Sequence, residues 1–185
     1  MAVNATLAQH YSNLLGLTPP WKITDLTLAI VEQRIDISIE WPPDRRVICP
    51  ECGKKVGLKD HREERIWRHL DTMQFHTYLH CRVPRSECPV HGALTVAVPW
   101  SEAGSRWTLL FEAFAIEVML HVSSISKASE ILHISWDEAH AMRTRAVARG
   151  LACREIEGGG YVGLDEKSFV KKERFVTVLA DLTGE

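Results

Sequence analysis

The sequence predicts an α+β chain in three segments: a small β-rich, cysteine-bearing front, a middle of three helices, and a final pair of strands. Three observations carry this. Apolar residues alternate with polar ones at a period of two in short runs between Leu26 and Val98. Two cysteine-containing turns punctuate those runs, at Cys49-Pro50-Glu51-Cys52-Gly53 and Cys88-Pro89-Val90-His91-Gly92. From Trp107 the apolar spacing becomes helical, and it returns to strand-like runs after Gly158-Gly159-Gly160. The expected domains are 1–100, 101–157 and 158–185.

Within the front segment, Asn4 to Leu15 reads as a short helix. Asn4 caps it, and Leu7, Tyr11, Leu14 and Leu15 form one apolar stripe. Thr18-Pro19-Pro20 ends it. Leu26 to Val31 has strand length, and Ile35, Ile37, Ile39 and Trp41 alternate with Asp36, Ser38 and Glu40. The two runs are expected to pair as a hairpin. Ile66 to Leu70 and Phe75 to Val83 read as two further strands. In the second, Thr77, Leu79, Cys81 and Val83 share one face while Tyr78, His80 and Arg82 share the other, and Pro84 is expected to end it. Leu94 to Val98 is a further strand.

The chain has 185 residues, 45% hydrophobic and 25% charged, the composition of a globular protein. No apolar stretch approaches the length needed to span a bilayer, and residues 1–9 hold no basic cluster followed by an apolar run. The expected compartment is the cytoplasm. Net charge is -2, but it is unevenly spread. Residues 1–44 carry 2 basic and 5 acidic groups, and residues 45–92 carry 10 basic and 6 acidic, with five histidines. The positive segment, which also holds four of the five cysteines, is an electrostatic footprint for phosphate.

An odd cysteine count without a leader argues against a disulfide framework, and clustering argues for metal. Cys49-x-x-Cys52 and Cys88-x-x-His91 are two knuckles whose spacing fits around one tetrahedral ion, and zinc accepts this donor set in structural sites. The 35 residues between them would form a β-hairpin stapled at its base. Cys81 is the rival fourth ligand. It is the less favoured one, because it falls on the apolar face of a strand. Cys153 reads as a core thiol.

In the middle segment, Trp107–Leu120, Ile125–Leu132 and Trp136–Arg149 read as helices. The last two have the layout of a helix-turn-helix. Ala128 is small where helices approach, Ile131 and Leu132 face the core, and His133-Ile134 makes the turn. Ser135 with Glu138 forms a capping box, and Ala139 and Met142 point inward. The third helix would then be the recognition helix. Trp136, His140, Arg143, Thr144, Arg145 and Arg149 are its candidate DNA contacts, while Asp137 and Glu138 would repel phosphate. After the glycines, Tyr161–Leu164 and Phe175–Leu179 read as strands. Asp165 is placed at the end of the first and Asp181 at the end of the second, positions at which two-metal nucleases hold divalent cations.

Taken together, these segments resemble the ISL-three family of bacterial insertion-sequence transposases. The resemblance rests on Cys49–Gly53, Arg65–Asp71 (Arg-Ile-Trp-Arg-His-Leu-Asp), Arg82–Gly92, Val98–Arg106, Ser135–Ala139 and Gly163–Phe169 (Gly-Leu-Asp-Glu-Lys-Ser-Phe). It implies a zinc-binding N-terminal domain, a helix-turn-helix, and the first two strands of a ribonuclease-H-like domain with an Asp-Asp-Glu triad. By position it implies Asp165 as the first catalytic aspartate and Cys49, Cys52, Cys88 and His91 as zinc ligands. The expected partner is double-stranded DNA at terminal inverted repeats, with room for a homodimer and with magnesium serving the full-length enzyme. The family's second Asp and its Glu would lie beyond residue 185, so the chain alone is expected to bind DNA without cutting it. The competing readings are a zinc-containing transcriptional regulator and a zinc-stapled protein-interaction module.

Overall fold

The computed structural model describes residues 5–154, 161–170 and 174–182. No helix in it is long and apolar enough to cross a membrane. The chain divides into two compact units, Met1–Arg143 and Thr144–Glu185. The expected cap Asn4 and the Gly158–Gly160 break lie outside the described residues.

In the first unit, helix α1 (Ala5–Leu14) precedes a six-stranded sheet. Tyr11 and Leu15 are buried, but Leu7 and Leu14 are exposed, because the sheet covers only one edge of the apolar stripe. Strands β1 (Lys22–Ala29) and β2 (Arg34–Glu40) form the expected antiparallel hairpin, with Leu26 opposite Ile37. β1 begins earlier than the apolar run suggested. Ile30 and Val31 fall in the turn, where Gln33 adopts φ 49°, and both are exposed. β2 keeps its alternation, with Ile35, Ile37 and Ile39 all buried.

Strand β3 (Val47–Ile48) pairs with β4 (Lys55–Arg68), and β4 pairs along its length with β5 (His76–Cys88). β4 and β5 are far longer than their apolar runs. Pro84 does not end β5. It lies opposite His61 beside a bulge, where the missing N–H breaks no regular ladder, and its carbonyl accepts from the Val96 N–H at 3.0 Å. β6 (Gly92–Thr95) returns along β5, starting two residues before the expected Leu94 and leaving Val96 and Val98 to pack on the core.

The strand order is β1-β2-β5-β4-β3, and β2 runs parallel to β5, Ile37 opposite Leu79. That pairing joins two hairpins into one sheet. Their shared core holds Ile37, Leu79, Cys81 and Val83 with four tryptophans packed edge to face: Trp21 on Trp41 and on Trp100, each at 5.0 Å, and Trp67 on Trp100 at 5.6 Å.

A second core lies among helices α2 (Leu109–His121), α3 (Ile125–Leu132) and α4 (Trp136–Ala152). Its buried residues are Phe111, Ala115, Ala128, Leu132 and Met142. Ile131 is exposed, contrary to expectation. Ala128, Ser129 and Leu132 hold the short helix against its neighbours, and Ile131 lies about 100° around from their midline.

In the second unit, β7 (Val162–Val170) and β8 (Arg174–Asp181) pair as an antiparallel hairpin. Asp165 is not at a strand end as expected. It sits mid-ladder opposite Val178, because pairing with β8 carries β7 on through Glu166-Lys167-Ser168. Lys171–Glu173, between the strands, lie outside the described residues.

Candidate metal centre and helix-turn-helix

The two knuckles meet where the β4–β5 hairpin begins and ends. Cys49 and Cys52 precede β4, and Cys88 and His91 follow β5. The first turn closes through Gly53 N–H to the Cys49 carbonyl and Cys49 N–H to the Lys54 carbonyl, both at 2.9 Å. Gly53 and Gly92 take φ 67° and 69°, a conformation that costs a residue with a Cβ but not glycine. Each glycine therefore lets its knuckle curl back.

Four donor atoms converge as a result: the Sγ atoms of Cys49, Cys52 and Cys88 and a ring nitrogen of His91, all within 4.8 Å of one another. Cys49 Sγ to His91 Nδ1 is 3.7 Å, Cys88 Sγ to His91 Nδ1 is 3.6 Å, and Cys52 Sγ to Cys88 Sγ is 3.9 Å. Ligands of a tetrahedral zinc with bonds near 2.3 Å stand about 3.8 Å apart, so the cluster fits one such ion. Electrostatics agree. Backbone N–H groups of His91 and Val90 aimed at Cys88 Sγ lower its pKa to about 6, and the Cys52 N–H lowers that of Cys49. Thiolate, the form that binds metal, is thereby favoured at these two. At Cys52 the Lys54 N–H lowers the pKa, but burial and the neighbouring thiols outweigh it and the net shift is upward, and the Cys88 and Cys49 sulfurs raise the pKa of His91. Cys81 is not among the four. It lies in the sheet core, where burial pushes its thiol up to about 12.

Strand β4 also delivers the junction to the helices. Arg68 N–H donates to the Arg106 carbonyl at 2.9 Å, and Thr108 N–H donates to the Arg68 carbonyl at 3.0 Å. The Thr108 hydroxyl caps α2 by accepting from Phe111 N–H at 3.2 Å, and it also shares a hydrogen bond of 2.9 Å with His69 Nδ1. Arg68 is buried, pairs with Asp71, bonds His76 Nδ1 at 2.6 Å and lies over the Phe111 ring. His76 in turn meets the His133 ring at 5.4 Å, in the turn of the helix-turn-helix.

Burial lowers the pKa of His69 to about 4, aided by the Arg68 charge. An unfolded histidine titrates near 6.5, so the unfolded chain takes up this proton first as pH falls. Stability from His69 is full above about pH 6.5 and is lost toward pH 4, about 3 kcal/mol in all. Urea unfolding at pH 7 and pH 5 is expected to show wild type losing about 2 kcal/mol more than His69→Gln. Equal losses in the two proteins would refute this.

In the helical part, Ser124 caps α3 and His133 closes it at φ 53° in the left-handed region. The capping box forms at α4: Ser135 N–H donates to Glu138 Oε2 at 2.9 Å, and Glu138 N–H to Ser135 Oγ at 3.2 Å. Ala139 and Met142 are fully buried. Trp136, His140 and Arg143 recur at helical spacing on the adjacent face, about 100° around the helix from Ala139 and Met142. The Trp136 and His140 rings stack at 4.9 Å. Thr144 and Arg149 are exposed, whereas Arg145 is half-buried. The capping box was legible in the sequence; the Trp136–His140 stack was not, since i,i+4 spacing permits contact without requiring it.

Two family profiles match the chain. Residues 45–91 match the zinc-finger of transposase IS204/IS1001/IS1096/IS1165, and residues 96–147 match the helix-turn-helix domain of transposase family ISL3. The chain carries the zinc-finger and helix-turn-helix modules of the ISL3 transposases. It is 30% identical over 139 residues to the transposase for insertion sequence element IS1557 of Mycobacterium tuberculosis, in strains CDC 1551 / Oshkosh and ATCC 25618 / H37Rv alike. The match covers 72% of this chain and 30% of each relative, so the chain spans under a third of the curated relatives' length. No solved structure matches it. Both ISL3 modules fall within the first compact unit, apart from the last residues of the helix-turn-helix match in α4. Asp165 lies in the second unit, where it is exposed. Among the described residues, no group of three or more potential metal ligands includes it.

Proposed function

We propose that this chain recognises DNA at the ends of an insertion sequence, as the DNA-binding part of a transposase. The observation that carries the reading is the capped helix-turn-helix whose α4 leaves Trp136 and Arg143 exposed beside a half-buried His140, while Ala139 and Met142 anchor the adjacent face. A helix held this way fits a major groove, with Arg143 reaching base edges or phosphate. Thr144 and Arg149 extend the contact along α4, and Arg145 supports it from the flank. Zinc, held by Cys49, Cys52, Cys88 and His91, closes the hairpin that carries the junction at Arg68 and His69. It supplies folding free energy rather than chemistry.

In this reading the zinc-binding domain is 1–100, the helix-turn-helix 101–157, and 158–185 the start of a ribonuclease-H-like domain. Asp165 is its first metal-binding carboxylate, with magnesium held only when further carboxylates join it. One carboxylate does not hold a metal pair, so cleavage is not assigned to these residues alone. The DNA is double-stranded, two copies on inverted repeats suit a homodimer, and the compartment is the cytoplasm.

Arg143→Ala is expected to weaken binding to a terminal-repeat duplex by roughly 5- to 150-fold, measured by fluorescence anisotropy. Wild-type affinity should also fall steeply with salt. Binding indifferent to both salt and Arg143→Ala would overturn the reading in favour of a protein partner.

A further inference from the structure

Several cations of the sheet are engaged by carboxylates, and Arg62, Arg65 and Arg82 bond hydroxyl or carbonyl oxygens instead. Arg34 pairs with Asp36, Arg68 with Asp71, and Arg85 with Asp60. A second set behaves differently. Arg46, Lys54, Lys55 and Lys59 are all exposed, and none forms an ion pair among the described residues; Lys59 acts on Asp60 only at longer range. Strand geometry gathers them. Val47 pairs with Val56 and both point inward, so Ile48 and Lys55, the next pair, point outward, with Arg46 on the same side as Ile48. The register slips between Leu58 and Asp60, and Lys59 is the bulge residue pushed out. Lys54 closes the first knuckle beside them.

Gly57 stands between Lys55 and Lys59, and a Cβ there would meet nothing within 4 Å. The outward surface is therefore bare backbone in open space with cations on both sides, which admits close approach of a sugar-phosphate chain. The carboxylates nearby are Glu51 in the knuckle, Glu87 opposite Gly57, Asp44, which pairs with Arg45, and Asp60, which pairs with Arg85. They leave the face net positive.

We infer that the outward face of β3 and β4 is a second DNA-contacting surface, on which Arg46, Lys54, Lys55 and Lys59 grip the phosphate backbone of duplex DNA. It rests on the DNA-binding reading above but not on Arg143 or on the recognition helix. Sequence is read by α4; this face contributes sequence-independent affinity, and the zinc knuckle holds the lysines in place.

The test uses the whole chain with zinc and a mixed-sequence duplex of roughly 30 base pairs, because phosphate contacts need no particular sequence. Each neutralised phosphate contributes about 0.9 to the slope of log affinity against log salt. Lys54→Gln/Lys55→Gln/Lys59→Gln is expected to lower that slope by roughly two to three and to weaken binding about 10-fold or more in moderate salt, with one zinc retained. Lys59→Gln alone, at the bulge and outside the ladder, is expected to lower the slope by about one, which keeps the test decisive if the triple variant loses zinc. Wild-type affinity and slope in both variants would overturn the inference while leaving the α4 reading intact. Failure of the wild type to bind any duplex would overturn both.

Discussion

Stripping the metal is expected to unfold the β4–β5 hairpin base and to lower the melting temperature of the chain sharply. Structural zinc contributes on the order of 10 kcal/mol of apparent binding free energy, comparable to the whole stability of a small domain. Here it would tie together the two ends of the central hairpin, whose strands also carry the core residues Trp67, Leu79 and Val83. Cys49→Ser removes a fully buried donor and is expected to abolish stoichiometric zinc and cooperative melting together. Cys81→Ser is the discriminating control. Cys81 is buried in the core and lies outside the cluster, so its serine variant should keep one zinc per chain while losing about 1–3 kcal/mol from a poorly satisfied hydroxyl. Metal analysis showing the reverse, zinc kept in Cys49→Ser and lost in Cys81→Ser, would redraw the ligand set.

Trp67→Ala carries the next largest expected effect. Trp67 is 1% exposed, lies edge-on to Trp100 at 5.6 Å, and has the Arg65 guanidinium over its ring at 4.7 Å. It is also next to Arg68, the residue bonded to the segment that starts the helices. Truncation removes a large buried surface and leaves a cavity the sheet cannot close, so a loss of about 3–5 kcal/mol is expected in urea unfolding. DNA binding should weaken with it, and zinc should remain at permissive temperature. A loss under about 1 kcal/mol would mean that the tryptophan cluster is looser than its packing implies.

Much of the candidate site was legible in the residues. The Cys-x-x-Cys and Cys-x-x-His spacings are local, and each glycine after them marks a turn, so the knuckles needed no tertiary information. The capping box at Ser135 and Glu138 was equally local, as was the burial of Ala128, Ala139 and Met142. Other features were hidden for definable reasons. Ile131 looked like a core residue because its neighbours are apolar, yet a helix of eight residues has only a narrow covered arc. Pro84 looked like a stop, but a proline beside a bulge breaks no ladder bond. Asp165 looked like a strand end because the apolar run stops there, whereas the ladder with β8 does not.

The sequence by itself determined the local chemistry: which residues turn, which cap, which helices are amphipathic, and which four donors share metal-like spacing. Only the tertiary structure decided how distant pieces meet. Alternation in β2 showed one buried face but not that β2 lies parallel to β5, since hydrogen-bonding edges are alike in every strand. The convergence of the four donors was likewise decided in three dimensions: β5 takes Cys81 into the core and brings Cys88 and His91 beside Cys49 and Cys52. The physical reason is the same in both cases. Side-chain pattern encodes what a segment buries, while its partner is selected by how all the buried faces pack at once.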